Sequence, residues 1–155
     1  MSTAEPSAFA EGRVSYAIFQ LHRAHRGYAA TLLRQMGLHP GQELVLMHLN
    51  DRDAQTQSEL LASIGLDPST LSKTLRRMQD AGLLVREPAD HDRRVMVVRL
   101  TDKGAALREP IAAMWRDLEE VTVQNLSPRQ AEALEKAAYS VVEAITNRTQ
   151  SPERT

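Results

Sequence analysis

Apolar residues recur every three or four positions through the first strong element of the chain. Val14, Ile18, Leu21, His25, Tyr28 and Leu32 step by four, three, four, three and four, which predicts one amphipathic helix over about 12–36. Gly37 stops it, and Pro40 suits the first turn of a second helix carrying Leu44, Val45, Met47, His48 and Leu49. Thr56 and Glu59 form a capping-box pair, so a short helix starts there and reaches Ile64. Gly65 permits a sharp turn and Leu66 packs inward. Asp67 then caps a helix that has Pro68 in its first position, runs to Ala81 and ends at Gly82. Leu71, Leu75 and Met78 fall at i, i+4 and i+7 on it and must face a core.

After Gly82 the period changes from helical to alternating. Residues 83–85 and 95–100 are rich in strand formers, with Met96, Val98 and Leu100 on one face, and predict a hairpin around residues 87–94. Thr101 caps a long helix bearing Leu107, Ile111, Met114, Leu118 and Val121, with a kink expected at Pro110. Ser127 and Gln130 form a second capping box around Pro128, opening a last helix through Ala131, Leu134, Ala138, Val141 and Ile145. The first ten or so residues and the tail from about Thr149 read as frayed ends.

Two short helices joined by a tight glycine turn and followed by a hairpin describe a winged helix-turn-helix. The fold class is mainly α with a small β-hairpin wing, in the order α-α-α-α-β-β-α-α. At about 100° per residue, Ser69, Lys73 and Arg76 point away from the core side of the fourth helix, with Thr70, Ser72 and Arg77 on its flanks. Small hydroxyl residues let a helix enter a DNA groove closely, and long bases beside them reach phosphates. Asp92, Arg93 and Arg94 stand at the tip of the wing. The apolar stripes of the first and last two helices exceed what a small winged core can cover. A two-fold dimer buries them, and it presents two recognition helices to half-sites about 34 Å apart. Residues 1–155 are thus expected to form a single domain, with a DNA-binding lobe over 40–101 and a helical dimerisation region over 12–36 plus 102–148.

Composition narrows the class further. No apolar run is long enough for a membrane span, and the N-terminus lacks the basic-then-apolar order of a signal peptide, so a cytoplasmic protein is expected. The chain has no cysteine, which excludes disulfides, thiolate metal sites and thiol redox sensing. The net charge is only -1, yet its distribution is uneven. Seven bases face five acids between Asp67 and Thr101, and six acids face two bases between Asp117 and Glu143. Nucleic acid therefore has one local surface to meet.

At this point the chain resembles the MarR family of bacterial transcriptional regulators over about residues 12–147. The family's wing pattern of Asp, any residue, Arg, three residues, Val or Ile, any residue, Leu, Thr falls on Asp92, Arg94, Val98, Leu100 and Thr101, and residues 82–86 before the wing also match. The resemblance implies that Arg94 enters the minor groove while Asp92 holds the wing tip by pairing with an arginine; Arg93 competes for the groove role. A narrow minor groove concentrates negative potential and suits arginine. The resemblance further implies repression by occupancy of a pseudo-palindromic operator on double-stranded DNA, relieved when a small aromatic or acidic effector binds between the helices and the winged lobe.

Candidate pocket residues are His22, His25, Arg26 and Tyr28 on the first helix, Met47 and His48 on the second, and Met114 and Trp115 on the fifth. His25 lies in the apolar stripe and reads as a core or interface histidine, and Trp115 and the methionines read as core. His22 and His25 are three apart, yet no third ligand has matching spacing, so neither a metal nor another cofactor is expected. A winged-helix protein-interaction module without its own operator is the alternative, disfavoured by the wing arginines. Catalysis is not expected, because no glycine-rich phosphate loop or acid-base pairing of the histidines is evident.

Overall fold

The computed structural model describes residues 11–150. The elements are α1 (Arg13–Gln35), α2 (Gln42–Asp51), α3 (Gln57–Ile64), α4 (Pro68–Asp80), β1 (Leu84–Pro88), β2 (Met96–Leu100), α5 (Asp102–Ala105), α6 (Arg108–Val123) and α7 (Pro128–Gln150). The mainly helical winged architecture is the one the hydrophobic periods predict. The first ten residues, expected to fray, lie outside the described residues. Thr149 and Gln150, expected to fray too, still belong to α7.

The described residues fall in two compact units that divide between Leu118 and Glu119. In the first, the side chains of Val45, Leu46, Leu60, Leu71, Leu75 and Met78 are completely buried. Burying each such side chain contributes about 1.5–3 kcal/mol, and this cluster is what fixes α2, α3 and α4 against one another. Leu33, near the end of α1, joins the same core, and Ala29, Leu32 and Met36 pack on it. The end of α1 is therefore part of the lobe, although its sequence stripe groups it with the last helices. The first half of α1 leaves Val14, Ile18, Phe19 and Leu21 exposed. In the second unit α7 has no buried residue at all.

β1 and β2 pair antiparallel, with Leu84 opposite Leu100 and Pro88 opposite Met96. Gln55 adds a one-residue bridge to β2, donating its N–H to the Val98 carbonyl at 3.2 Å and accepting from the Val98 N–H at 2.7 Å. Of the three residues expected on one face of β2, Val98 is buried and Leu100 half-buried, while Met96 is exposed next to the tip. Val97, on the opposite face, is buried instead.

Two prolines act differently from the sequence expectation. Pro40 precedes α2, whose N-cap is Gly41 in a left-handed conformation at φ 97°, so the proline is not in the first turn. The helix expected to run on from Thr101 is delivered as two. Thr101 does cap α5, accepting from the Gly104 N–H at 3.1 Å, but the chain turns at Ala106 and Leu107 before α6 begins. Pro110 then lies in the first turn of α6, where a missing N–H costs nothing, and no kink is needed.

Candidate nucleic-acid interface

The helix-turn-helix begins with the capping box. Thr56 accepts from the Glu59 N–H at 3.2 Å and the Glu59 carboxylate accepts from the Thr56 N–H at 2.7 Å, which holds the Glu59 carboxyl below the usual range. Gly65 closes α3 at φ 73°, a left-handed turn that costs glycine nothing. Asp67 then caps α4. Its carboxylate accepts from the Thr70 hydroxyl and, at 2.9 Å, from the Thr70 N–H, and these bonds lower its pKa. The Thr70 hydroxyl proton is thereby committed to the cap, which leaves Ser69 and Ser72 as the hydroxyl donors at the front of the helix.

With Leu71, Leu75 and Met78 fully buried on one side, Ser69, Thr70, Ser72, Lys73, Arg76 and Arg77 are all exposed on the other. None of the large exposed apolar side chains lies on α4. The helix thus offers hydroxyls near its start and cations further along its outer face.

At the wing tip Ala89 is buried and donates to the Val95 carbonyl at 2.7 Å, while the Val95 N–H reaches the Asp92 carbonyl at 3.0 Å. The Asp92 side chain accepts three bonds from one residue, Arg94: its N–H at 3.0 Å, its Nε at 3.1 Å and its Nη2 at 3.2 Å. The Arg94 fork holds the Asp92 carboxyl below its ordinary range. The arginine paired with Asp92 is thus Arg94 itself, whose side chain remains 91% exposed. A tethered guanidinium at full exposure is aimed outward with less rotamer freedom to lose on binding. Arg93 is exposed beside it.

Among the described residues, Lys73, Arg76, Arg77, Arg86 and Arg93 form no ion pair. Arg94 and Arg99 are the paired bases of the basic stretch, and Arg99 is the more heavily engaged. It meets Asp53 at 2.8 Å, Asp90 at 3.3 Å and Glu87 at 3.6 Å. The sequence balance counts Arg99 as a free base, and no local pattern reveals Asp53, which lies 46 positions away.

The candidate effector residues differ widely in exposure. His22, Arg26 and Tyr28 are exposed on α1, His25 is half-buried, and Met114 belongs to the core. Trp115, read as core, is 37% exposed, and Met47 is 39% exposed. His48 is half-buried, its carbonyl accepting from the Gln55 Nε2 at 2.9 Å. A cleft of about 190 Å³ is lined by Met47, Asn50, Asp51, Arg108, Ile111 and Ala112, so it takes in only Met47 of the eight. Among the described residues no three His, Asp or Glu side chains are grouped to hold a metal.

Comparison with known proteins places this geometry. Residues 36–95 match the sequence profile of the MarR family. The chain is 25% identical over 138 residues to the organic hydroperoxide resistance transcriptional regulator of Bacillus subtilis strain 168, covering 87% of this chain and 90% of that protein. Its backbone superposes with TM-score 0.79 and 22% identity on a mutant MarR from E. coli complexed with operator DNA, covering 88% of this chain and 99% of that one. Bordetella bronchiseptica BpsR, whose DNA binding is regulated by 6-hydroxynicotinic acid, superposes with TM-score 0.74 and 22% identity over 84% of this chain and 98% of its own.

Proposed function

This chain belongs to the MarR family, and on that premise we propose that it is a DNA-binding transcriptional regulator acting in the cytoplasm as a homodimer. The observation that carries the reading is the wing tip: Asp92 tethers an otherwise exposed Arg94, next to Arg93, on a hairpin that packs against α4, whose outer face is basic. Ser69, Ser72 and Lys73 meet base edges and phosphates in the major groove, with Thr70 fixed by the cap; Arg76 and Arg77 reach the backbone; Arg94 enters the minor groove. No helix among the described residues is long and apolar enough to cross a membrane.

Dimerisation is supported by what each unit leaves uncovered. Most of a helix's stability in a protein comes from packing of its apolar face, and the 23-residue α7 has no buried side chain. α7 exposes Leu134, Tyr139, Val142 and Ile145, and α1 exposes Val14, Ile18 and Leu21. A second copy covers these faces, and the two α4 helices then meet half-sites about 34 Å apart.

The finer part of the proposal is repression by occupancy, relieved by a small aromatic or acidic effector that shifts the two lobes. The cleft lined by Met47, Ile111 and Ala112 offers such a molecule apolar contacts, and Arg108, which meets Asp51 at 3.8 Å in the same lining, offers a cation that an acidic effector would have to draw from that pair. This chain has no cysteine, so no thiol of its own serves as the sensor.

The test is fluorescence anisotropy of a labelled duplex recovered by selection from genomic fragments. Affinity should fall steeply with salt, and Arg94→Ala should weaken binding with little change in thermal stability. Salt-insensitive binding, or an unchanged Arg94→Ala titration, would refute the assignment. A protein-interaction module is disfavoured by the absence of exposed large apolar anchors on α4.

A further inference from the structure

The three residues that end α2 and begin the following loop each form an ion pair with a different element. Asp51 meets Arg108 of α6 at 3.8 Å, Arg52 meets Glu59 of α3 at 2.8 Å, and Asp53 meets Arg99 of β2 at 2.8 Å. The next residue, Ala54, has φ 58°, a left-handed conformation that side-chain-bearing residues rarely adopt. Such a residue persists only where its surroundings over-determine it. Here they do. The turn at Ala54 lets Asp53 reach Arg99 while Gln55 exchanges both backbone hydrogen bonds with Val98. Gln55 is itself 3% exposed, and its Nε2 donates to the carbonyls of His48 at 2.9 Å and Arg52 at 2.6 Å.

The hairpin is thus tied to the end of α2 at two adjacent positions, one through backbone and one through charge. Arg99 is the ionic anchor on the wing side. Two of its three carboxylates, Glu87 and Asp90, come from the hairpin and its loop, and only Asp53 comes from outside. Its side chain is 28% exposed, well below that of Arg94 at the wing tip. Three carboxylates around one guanidinium leave the spot net negative, so a DNA phosphate is repelled from it. A lysine could not replace the anchor, since its ammonium lacks the planar fork that addresses several carboxylates at once.

We propose that Arg99 is the positioning residue of the wing: through Asp53 it fixes the angle at which the hairpin carries Arg93 and Arg94 to the minor groove, without contacting DNA itself. The inference rests on the DNA-binding reading above, and its own test has an arm that needs no DNA.

Amide hydrogen exchange is measured on wild type, Arg99→Ala, Arg99→Lys and Asp53→Asn, and duplex affinity on the same proteins with a labelled duplex recovered by selection with the wild type. Exchange at Ala89 and Val97 should speed up about tenfold in Arg99→Ala and severalfold in Asp53→Asn, with α4 amides unchanged. Affinity should fall about three- to tenfold in all three variants, with the salt dependence of log K kept at the wild-type slope. Asp53→Asn decides between accounts by sign. Removing a negative charge should tighten binding if only the local field matters, and loosen it if Asp53 holds the wing. Tighter or unchanged binding by Asp53→Asn, or a salt slope reduced by about 0.9 in Arg99→Ala as for a lost phosphate contact, would overturn the proposal. If the wild type selects no duplex, the DNA reading fails, and unaltered hairpin exchange in the variants then sinks the tether separately.

Discussion

Gly104→Ala is the substitution whose effect the structure fixes most tightly. A Cβ built on Gly104 would sit 2.0 Å from the Leu83 carbonyl oxygen, 3.0 Å from its carbon and 3.2 Å from the Leu100 Cδ2. The new methyl and the oxygen must part by more than about 1 Å to reach ordinary contact, and the nearest obstacle is backbone. α5 cannot simply slide away. The Thr101 N–H donates to that same Leu83 carbonyl at 3.1 Å, the Thr101 hydroxyl to the Gly82 carbonyl at 2.6 Å, and Lys103 Nζ to the Ala81 carbonyl at 2.8 Å. Overpacking of this kind costs about 1–3 kcal/mol, and losing one or two of these hydrogen bonds adds about 1 kcal/mol each, for about 2–5 kcal/mol in all. At about 2–4 °C per kcal/mol the midpoint of thermal unfolding should drop by at least about 4 °C. The control is Gly27→Ala in α1, where a Cβ meets nothing within 4 Å. There the helix gains about 0.5–1 kcal/mol, because alanine loses less backbone freedom on folding. Both variants are melted at one protein concentration, since a dimer's midpoint depends on it. A Gly104→Ala midpoint within about 1 °C of wild type would refute the close-approach argument.

Other expectations follow from the same geometry. Burial raises the pKa of Glu43 above its ordinary 4.5 although its carboxylate accepts from the Gly41 N–H at 2.7 Å. The folded state then holds that proton more tightly than the unfolded chain, so stability falls as pH rises from 4.5 through the folded value. Glu43→Gln keeps an acceptor and removes the buried charge, so it should stabilise at neutral pH and lose that advantage below 4.5; destabilisation at neutral pH in urea titrations would contradict this. Asp67 and Asp92 are shifted the other way, by Thr70 and Arg94 respectively, and their contribution should be intact above 3.8 and vanish as pH falls through their folded values. Asp67→Asn should therefore flatten the acid limb of a pH–stability profile. Ile145→Glu, on the uncovered face of α7, should shift the protein from dimer to monomer in sedimentation velocity; a variant that stays dimeric at low micromolar concentration removes α7 from the interface.

Much of the recognition motif was legible because its causes are local. Thr56 with Glu59, Asp67 with Pro68, and the Leu71, Leu75 and Met78 spacing each specify their structure within four or seven residues. The pairing of Asp92 with an arginine is also local, and the structure names the partner as Arg94. The break between α5 and α6 was hidden because the apolar period begins only at Leu107, inside the turn, and the short α5 carries no large apolar residue that could report where the first helix ends. Pro110 was the only signal, and it marks the first turn of a new helix rather than a kink. The wing tether was illegible for another reason. Gln55, Asp53 and Arg99 read as ordinary loop and strand polar residues until folding brings together positions 46 apart. The candidate effector residues were chosen by type, and type alone does not tell an exposed Trp115 from a buried Met114 on the same helix turn.

Hydroxyl-radical footprinting on a duplex selected with the wild-type protein tests directly whether this chain reads duplex DNA as a two-fold dimer. The prediction is two equivalent protected half-sites, related by two-fold symmetry, with centres about 34 Å apart and minor-groove protection flanking them that Arg94→Ala removes. A single asymmetric footprint, or a symmetric one whose flanks persist in Arg94→Ala, would contradict it.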